Sequence, residues 1–132
     1  MPAIANITVK KANGTTDVVY TATAASAGDT SPAVFRNDTV GTTIAERPTL
    51  LVRSTDNGSR TARRVRVDYS WPIVKTDAGG NKVVTGRMSG EASVLIPQNQ
   101  DAAVIAEQAY QFANLIGSLL VKQSFSDGFA PR

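Results

Sequence analysis

Four arginines lie within seven positions of the segment SRTARRVRVDY, residues 59–69: Arg60, Arg63, Arg64 and Arg66. From residue 62 onward polar and apolar residues alternate, as on a strand, where successive side chains point to opposite faces. One face then carries Arg64, Arg66 and Asp68. Because planar guanidinium groups bind phosphates through paired hydrogen bonds, this pattern predicts an anion-binding surface built on a strand.

The basic charge is concentrated in the middle third of the chain. The net charge of the 132 residues is only +3, but nine Lys or Arg residues lie between Arg47 and Arg87, against three aspartates. The stretch from Gly90 to the C-terminus is close to neutral. The charge pattern therefore favours a phosphate-rich partner for this region.

The composition argues against an enzyme. The chain has no His and no Cys, which removes imidazole bases, thiolate nucleophiles and Cys/His zinc sites. The segment DAGGNK lacks the spacing of a phosphate-binding P-loop, and no pair of carboxylates forms a recognisable catalytic pattern. We expect neither a cofactor nor a metal.

The chain also lacks sequence signals for membranes and for export. No apolar run approaches the roughly 20 residues of a membrane span, and the first residues lack the features of a secretory signal. We expect no membrane partner and a protein that is made and used inside a cell.

The first two thirds of the chain have strand patterns. Residues 5–24 read as a hairpin around the turn dipeptide Asn13-Gly14. Residues 32–97 read as a sheet with a short strand in AVFRN and three long strands in RPTLLVRST, in residues 61–74 and in residues 83–96. Turns are predicted in DNGS and KTDAGGNK.

The period changes to that of helices after Pro97. Ile105, Ala109, Phe112 and Ile116 recur at helical spacing, and a wider apolar stripe includes Val104, Leu115, Leu119 and Leu120. Asn99 or Asp101 can cap the first helix, and Gly117-Ser118 can separate it from a second. We predict one α+β domain over residues 1–132, with helices in about 99–126.

The three long strands have one polar and one apolar face. The apolar face includes Val65, Val67, Tyr69 and Trp71, whereas the polar face is rich in arginines and hydroxyl groups. An antiparallel sheet with one solvated face also has this pattern. We favour nucleic-acid contact because the basic residues are nearly all arginine and lie among Ser and Thr.

The helices and the last strand indicate association between chains. The helices can cover either their own sheet or that of a neighbour. The strand at residues 83–96 would be an open sheet edge unless a second chain pairs with it. Dimerisation through this strand would close the open sheet edge, and it would also provide a neighbouring sheet for the helices to cover.

The order of these elements resembles that of the coat proteins of single-stranded RNA bacteriophages of the levivirus type. The segments that carry the resemblance are RPTLLVRSTDNGSRTARRVRVDYSWPIV, KTDAGGN, RMSGEASVLIP and the two helices. The resemblance covers nearly the full length. It implies an N-terminal hairpin folded over a five-stranded antiparallel sheet, and an intertwined homodimer in which each chain's helices cross its partner. Dimers would form an icosahedral T=3 shell.

The resemblance also implies partners and sites. The polar face would bind the single-stranded viral RNA, and the protein would have a structural role and no enzymatic one. A maturation protein would be a further partner. Localisation would be the virion, assembled in the bacterial cytoplasm, and binding of an RNA hairpin would repress translation. The implied RNA-binding residues are Arg47, Thr49, Leu51, Arg53, Arg64, Arg66, Asp68, Arg87, Ser89 and Glu91.

Several members stack an RNA base on a tyrosine of the last strand, where this chain has Arg87 or Ser89. Phosphate contacts are therefore expected to dominate. Two alternatives stay open: a cellular nucleic-acid-binding β-sheet domain, and a structural oligomer without a nucleic-acid role.

Overall fold

The computed structural model describes residues 2–132, in which strands come first and helices last. The predicted α+β class with two C-terminal helices is confirmed. The strands are β1 (Ile7–Lys10), β2 (Asp17–Ala24), β3 (Ala33–Arg36), β4 (Thr49–Asp56), β5 (Ala62–Thr76) and β6 (Lys82–Pro97). The helices are α1 (Ala102–Ile116) and α2 (Leu119–Asp127), and a short 3₁₀ turn spans Ile44–Glu46.

The sheet is an antiparallel meander in the order β1-β2-β3-β4-β5-β6. It has six strands, whereas the family resemblance implied a five-stranded sheet with a separate hairpin. The difference lies in β2, whose first half pairs with β1 and whose second half pairs with β3. The hairpin is therefore continuous with the sheet through a single shared strand.

The hairpin nevertheless curls over the apolar face. Tyr20 of β2 contacts Tyr69 of β5 with ring centroids 6.4 Å apart, although two strands separate β2 from β5 in the sheet. The two hydroxyl oxygens lie 3.3 Å apart. Burial, together with this hydrogen bond, raises the pKa of Tyr69. The contact anchors the hairpin above the middle of the sheet.

The core of the single chain is small. Among residues 2–132, the buried apolar side chains are those of Tyr20, Phe35, Ala62 and the two prolines Pro48 and Pro72. The accessible surface is 9655 Å², whereas a compact monomer of 13.9 kDa exposes about 6,700 Å². The excess of roughly 3,000 Å² is surface that a compact protein of this mass would cover.

The helices account for much of this exposure. Asp101 caps α1 by accepting a hydrogen bond from the Ala103 N–H at 2.8 Å, and Gly117 separates the two helices, as predicted. Neither helix contains a buried residue. Leu115, Leu119 and Phe125 remain 64%, 71% and 70% exposed. No helix in the described chain is long and apolar enough to cross a membrane.

A buried carboxylate organises the connection between β3 and β4. Glu46 accepts hydrogen bonds from the Thr42 N–H at 2.6 Å and from the Thr42 hydroxyl at 3.1 Å. Gly41 has a φ of +74°, and a Cβ there would lie 2.5 Å from the Glu46 Cβ. The Thr42 N–H holds the pKa of Glu46 below its ordinary value, because it stabilises the ionised form.

We expect acid to destabilise the fold through Glu46. Its folded pKa lies below the unfolded value, so its contribution is present above about pH 4 and is lost as pH falls through the folded pKa. Glu46→Gln should lower the melting temperature at neutral pH and flatten its decline in acid. Glu107→Gln on α1 serves as the control. If the melting temperatures of both variants and of the parent protein fell equally as the pH is lowered, Glu46 would not be a cause of the acid sensitivity.

Candidate nucleic-acid interface

The strand registers bring the predicted site residues onto one face of the sheet. Thr49, Leu51 and Arg53 of β4 lie opposite Ser70, Asp68 and Arg66 of β5, which lie opposite Ser89, Glu91 and Ser93 of β6. We call this face of β4–β6, with its continuation to Arg64, Arg87 and Arg47, the polar face. All ten predicted site residues lie on it or at its margin.

The centre of the polar face is a shallow, open depression of about 330 Å³. Leu51, Asp68 and Glu91 form one row across it, and Thr49, Ser70 and Ser89 form the next. Gly90 contributes no side chain to its wall. The depression thus offers carboxylate and hydroxyl groups beside one guanidinium, that of Arg66.

Ion pairs neutralise the arginines at this centre. Asp68 accepts from Arg53 Nη2 at 2.5 Å and from Arg66 Nε at 2.7 Å. Arg66 also donates through Nη2 to Glu91. The Arg53 hydrogen bond, followed by that of Arg66, holds the pKa of Asp68 below its ordinary value, and Asp68 in turn raises the pKa of Arg66. The sequence pattern identified the arginines but not their neutralisation.

A second cluster lies at the β3 end of the polar face. Asp38 accepts from Arg36 Nε at 2.5 Å and from Arg47 Nη1 at 3.0 Å. The Arg36 hydrogen bond is the main cause of the lowered pKa of Asp38. Arg36 lies opposite Thr49 in the register, so it belongs to the polar face, and the sequence analysis missed it. Its position after Phe35 in the short strand AVFRN was the available signal.

The remaining arginines are less compensated. Within residues 2–132, Arg64 and Arg87 form no ion pair. Arg64 is exposed on β5, and Arg87 donates to the Ser70 hydroxyl at 3.0 Å. The polar face therefore has six arginines against Asp38, Asp68 and Glu91, with a neutral centre and positive flanks.

Aromatic side chains are directed to the opposite face. The Tyr69 ring packs against Tyr20 and Trp71, at centroid distances of 6.4 Å each. These rings belong to the apolar side of the sheet, as predicted. They are not placed to stack on bases bound at the polar face, so the available chemistry is hydrogen bonding and charge. No group of three or more acidic side chains in the described chain could hold a metal ion.

An apolar gap separates α1 from its own β6. Residues 93–96 of β6 and the side chains of Ile105, Gln108, Ala109 and Phe112 line an open cavity of about 320 Å³. The outer edge of β6 has no partner strand within residues 2–132. Both features lie along the same strand, β6.

No protein-family model and no curated protein matches this sequence. Solved structures do match over the whole chain. A protein from a virus-like particle of Beihai levi-like virus 21 is 20% identical with a TM-score of 0.81, and the alignment covers 99% of both chains. A protein from a virus-like particle of bacteriophage NT-214 is 14% identical with a TM-score of 0.81, covering 99% of this chain and 100% of the other.

The bacteriophage GA capsid protein is also similar, with 12% identity, a TM-score of 0.71 and 95% coverage of both chains. At these identities the likeness establishes a shared fold. The chain therefore has the same fold as these phage and levi-like virus capsid proteins.

Proposed function

We propose that this chain is a structural coat protein, which dimerises, assembles into an icosahedral virion shell and packages single-stranded RNA against its polar face. The observation that carries the proposal is the match, over nearly the full length of both chains, to proteins from virus-like particles. A maturation protein in the shell and repression of translation through an RNA hairpin follow from the same family resemblance.

The exposed apolar surface supports dimerisation. The two helices bury none of their residues, and β6 offers a 16-residue open edge. Pairing β6 with a second β6 would continue the sheet, and the helices of each chain would then reach across the other. An obligate dimer commonly buries more than 2,000 Å² in total, and the surface excess of this chain is large enough to supply it.

The charge distribution supports RNA binding. The flanking arginines can contact phosphates, while the hydroxyl groups between them can bond phosphate or ribose. Such contacts depend on the charge of the RNA more than on its base sequence. The affinity for RNA should therefore fall steeply as the salt concentration rises. An affinity that does not respond to salt would contradict this view.

Arg64 is the arginine whose loss we expect to matter most. Arg64→Ala should weaken RNA binding by about threefold to tenfold and reduce the salt slope by about 0.7, the value for one phosphate contact to a single strand. Arg66→Ala should have a smaller effect, because Arg66 is already paired with Asp68 and Glu91. Both variants should remain dimeric, since both side chains are exposed on the polar face.

Fluorescence anisotropy with labelled RNA at several salt concentrations measures these effects. Lys122→Ala on α2 removes a charge far along the chain from the sheet and is the control. If the Arg64→Ala protein binds RNA with the affinity and the salt slope of the parent protein, Arg64 is not part of the RNA interface.

Electron microscopy of the purified protein, together with its absorbance ratio at 260 and 280 nm, tests the proposed function. Closed shells that contain nucleic acid are expected. Discrete small complexes with nucleic acid would instead favour a cellular nucleic-acid-binding domain. Oligomers without nucleic acid would favour a purely structural protein.

A further inference from the structure

Two carboxylates face each other at the centre of the polar face. Asp68 and Glu91 are directly opposite in the β5–β6 register. Like charges in this arrangement repel and destabilise a strand pair. A pair of acidic residues at this position therefore requires cations that compensate its charge.

Two arginines hold this acidic pair in place. Arg66 bridges the two carboxylates through Nε and Nη2, and Arg53 binds the second oxygen of Asp68. The four side chains form a network without net charge. Arg53 and Arg66 could each bind a phosphate, but both are already bound to a carboxylate, which accepts hydrogen bonds in a similar geometry.

An RNA phosphate reaches these arginines only by displacing a carboxylate. A single phosphate gains little from this exchange, because the displaced carboxylate loses its partner and stays nearby. An RNA held at the same time by the uncompensated Arg64 and Arg87 raises the local phosphate concentration at the centre. An RNA that makes several contacts can therefore displace the carboxylates from Arg53 and Arg66. A short RNA that is held weakly cannot do so.

We propose that Asp68 and Glu91 form an electrostatic filter that suppresses the binding of short, unstructured RNA and favours RNA held by several phosphates at once. The inference rests on the proposed RNA-binding role of the polar face. Asp68 and Glu91 act here as specificity-determining residues, through the arginines they occupy.

The test measures binding of a short labelled oligouridine to dimeric protein as a function of salt. Asp68→Asn and Glu91→Gln remove the charge but keep a hydrogen-bond acceptor, so the arginines stay positioned. The double variant should bind at least about tenfold more tightly at low salt. Its salt slope should be steeper by about 0.7 to 1.4, which corresponds to one or two additional phosphate contacts.

Glu107→Gln on α1 changes the net charge by one unit outside the sheet, as Glu91→Gln does on the polar face, and is the matched control for that single variant. It should alter affinity by less than about twofold near 0.1 M salt, because the Debye length there is about 10 Å and exposed charges that lie farther apart are screened. Equal tightening by Glu91→Gln and by Glu107→Gln would overturn the filter, because the effect would then come from net charge alone.

Folding is checked by circular dichroism for each variant. If Asp68→Asn does not fold, Glu91→Gln decides the question, since the Glu91 side chain is 69% exposed and its change should be tolerated. A folded Glu91→Gln dimer with parental affinity and slope would overturn the filter. If the parent binds RNA and the variants bind equally, only the filter fails; if no form binds RNA, the RNA-binding role fails with it.

Discussion

Leu115→Glu should abolish the dimer and, with it, the shell. Leu115 is 64% exposed in the single chain, although it lies on the apolar stripe of α1 with Phe112 and Ile116. Burying a leucine contributes about 1.5–3 kcal/mol, and an unpaired buried carboxylate adds a further cost. Because a symmetric dimer contains the site twice, the dimer should weaken by at least about a hundredfold.

Tyr110→Glu provides a matched control for this substitution. Tyr110 lies on the same helix and is 73% exposed, but helical periodicity places it on the side away from the apolar stripe. It should remain dimeric and form shells. Sedimentation velocity distinguishes the two variants. If Leu115→Glu stays dimeric, or if both variants dissociate alike, the helix stripe is not the dimer contact.

Shortening the β5–β6 connection should leave the dimer intact and disrupt the shell. We propose, from the family resemblance, that this connection lies at the symmetry axes of the shell. It comprises residues 77–81, between Thr76 and Lys82. Asp77 Oδ1 accepts hydrogen bonds from the Gly79 N–H at 2.9 Å and from the Asn81 N–H at 2.8 Å, and Gly80 has a φ of +82°.

The connection packs no side chain into the apolar face, because residues 77–81 are all exposed. Replacing the five residues with Asn-Gly, a favoured two-residue hairpin turn, should therefore change the dimer's melting temperature little. Shells of the parental size should be lost, because contacts between dimers would be missing. Ala78→Ser preserves the loop length and should assemble normally.

Electron microscopy and thermal melting of assembled particles measure the result. Shells of unchanged size and heat resistance in the shortened variant would show that the loop has no role in assembly. The loop would then be an ordinary hairpin connection.

Alternation along single strands was enough to predict the polar face. Polar and apolar residues alternate in β5 from Arg64 to Tyr69, and the register places the predicted faces as expected. The ion-pair network could not be predicted in the same way. It depends on which residues of β4 and β6 stand opposite Asp68, and a shift by one residue would have separated them.

Short strands and the connections between strands were harder to predict from the sequence. AVFRN has too few residues for a clear period, so Arg36 was not recognised as part of the polar face. The six-strand count depends on the pairing of Thr21 with Arg36, a long-range contact that no local pattern records. The segment DTVGTTIAE has no clear helical or strand period, and its 3₁₀ turn at Ile44–Glu46 contains the buried Glu46.

We propose that this chain is half of a folded dimer, which is the building unit of a coat. Size-exclusion chromatography with light scattering, under conditions that dissociate shells mildly, measures the mass of that unit. The smallest folded species should have twice the chain mass of 13.9 kDa, and it should unfold and dissociate together. A stable, folded monomer of 13.9 kDa would contradict the account.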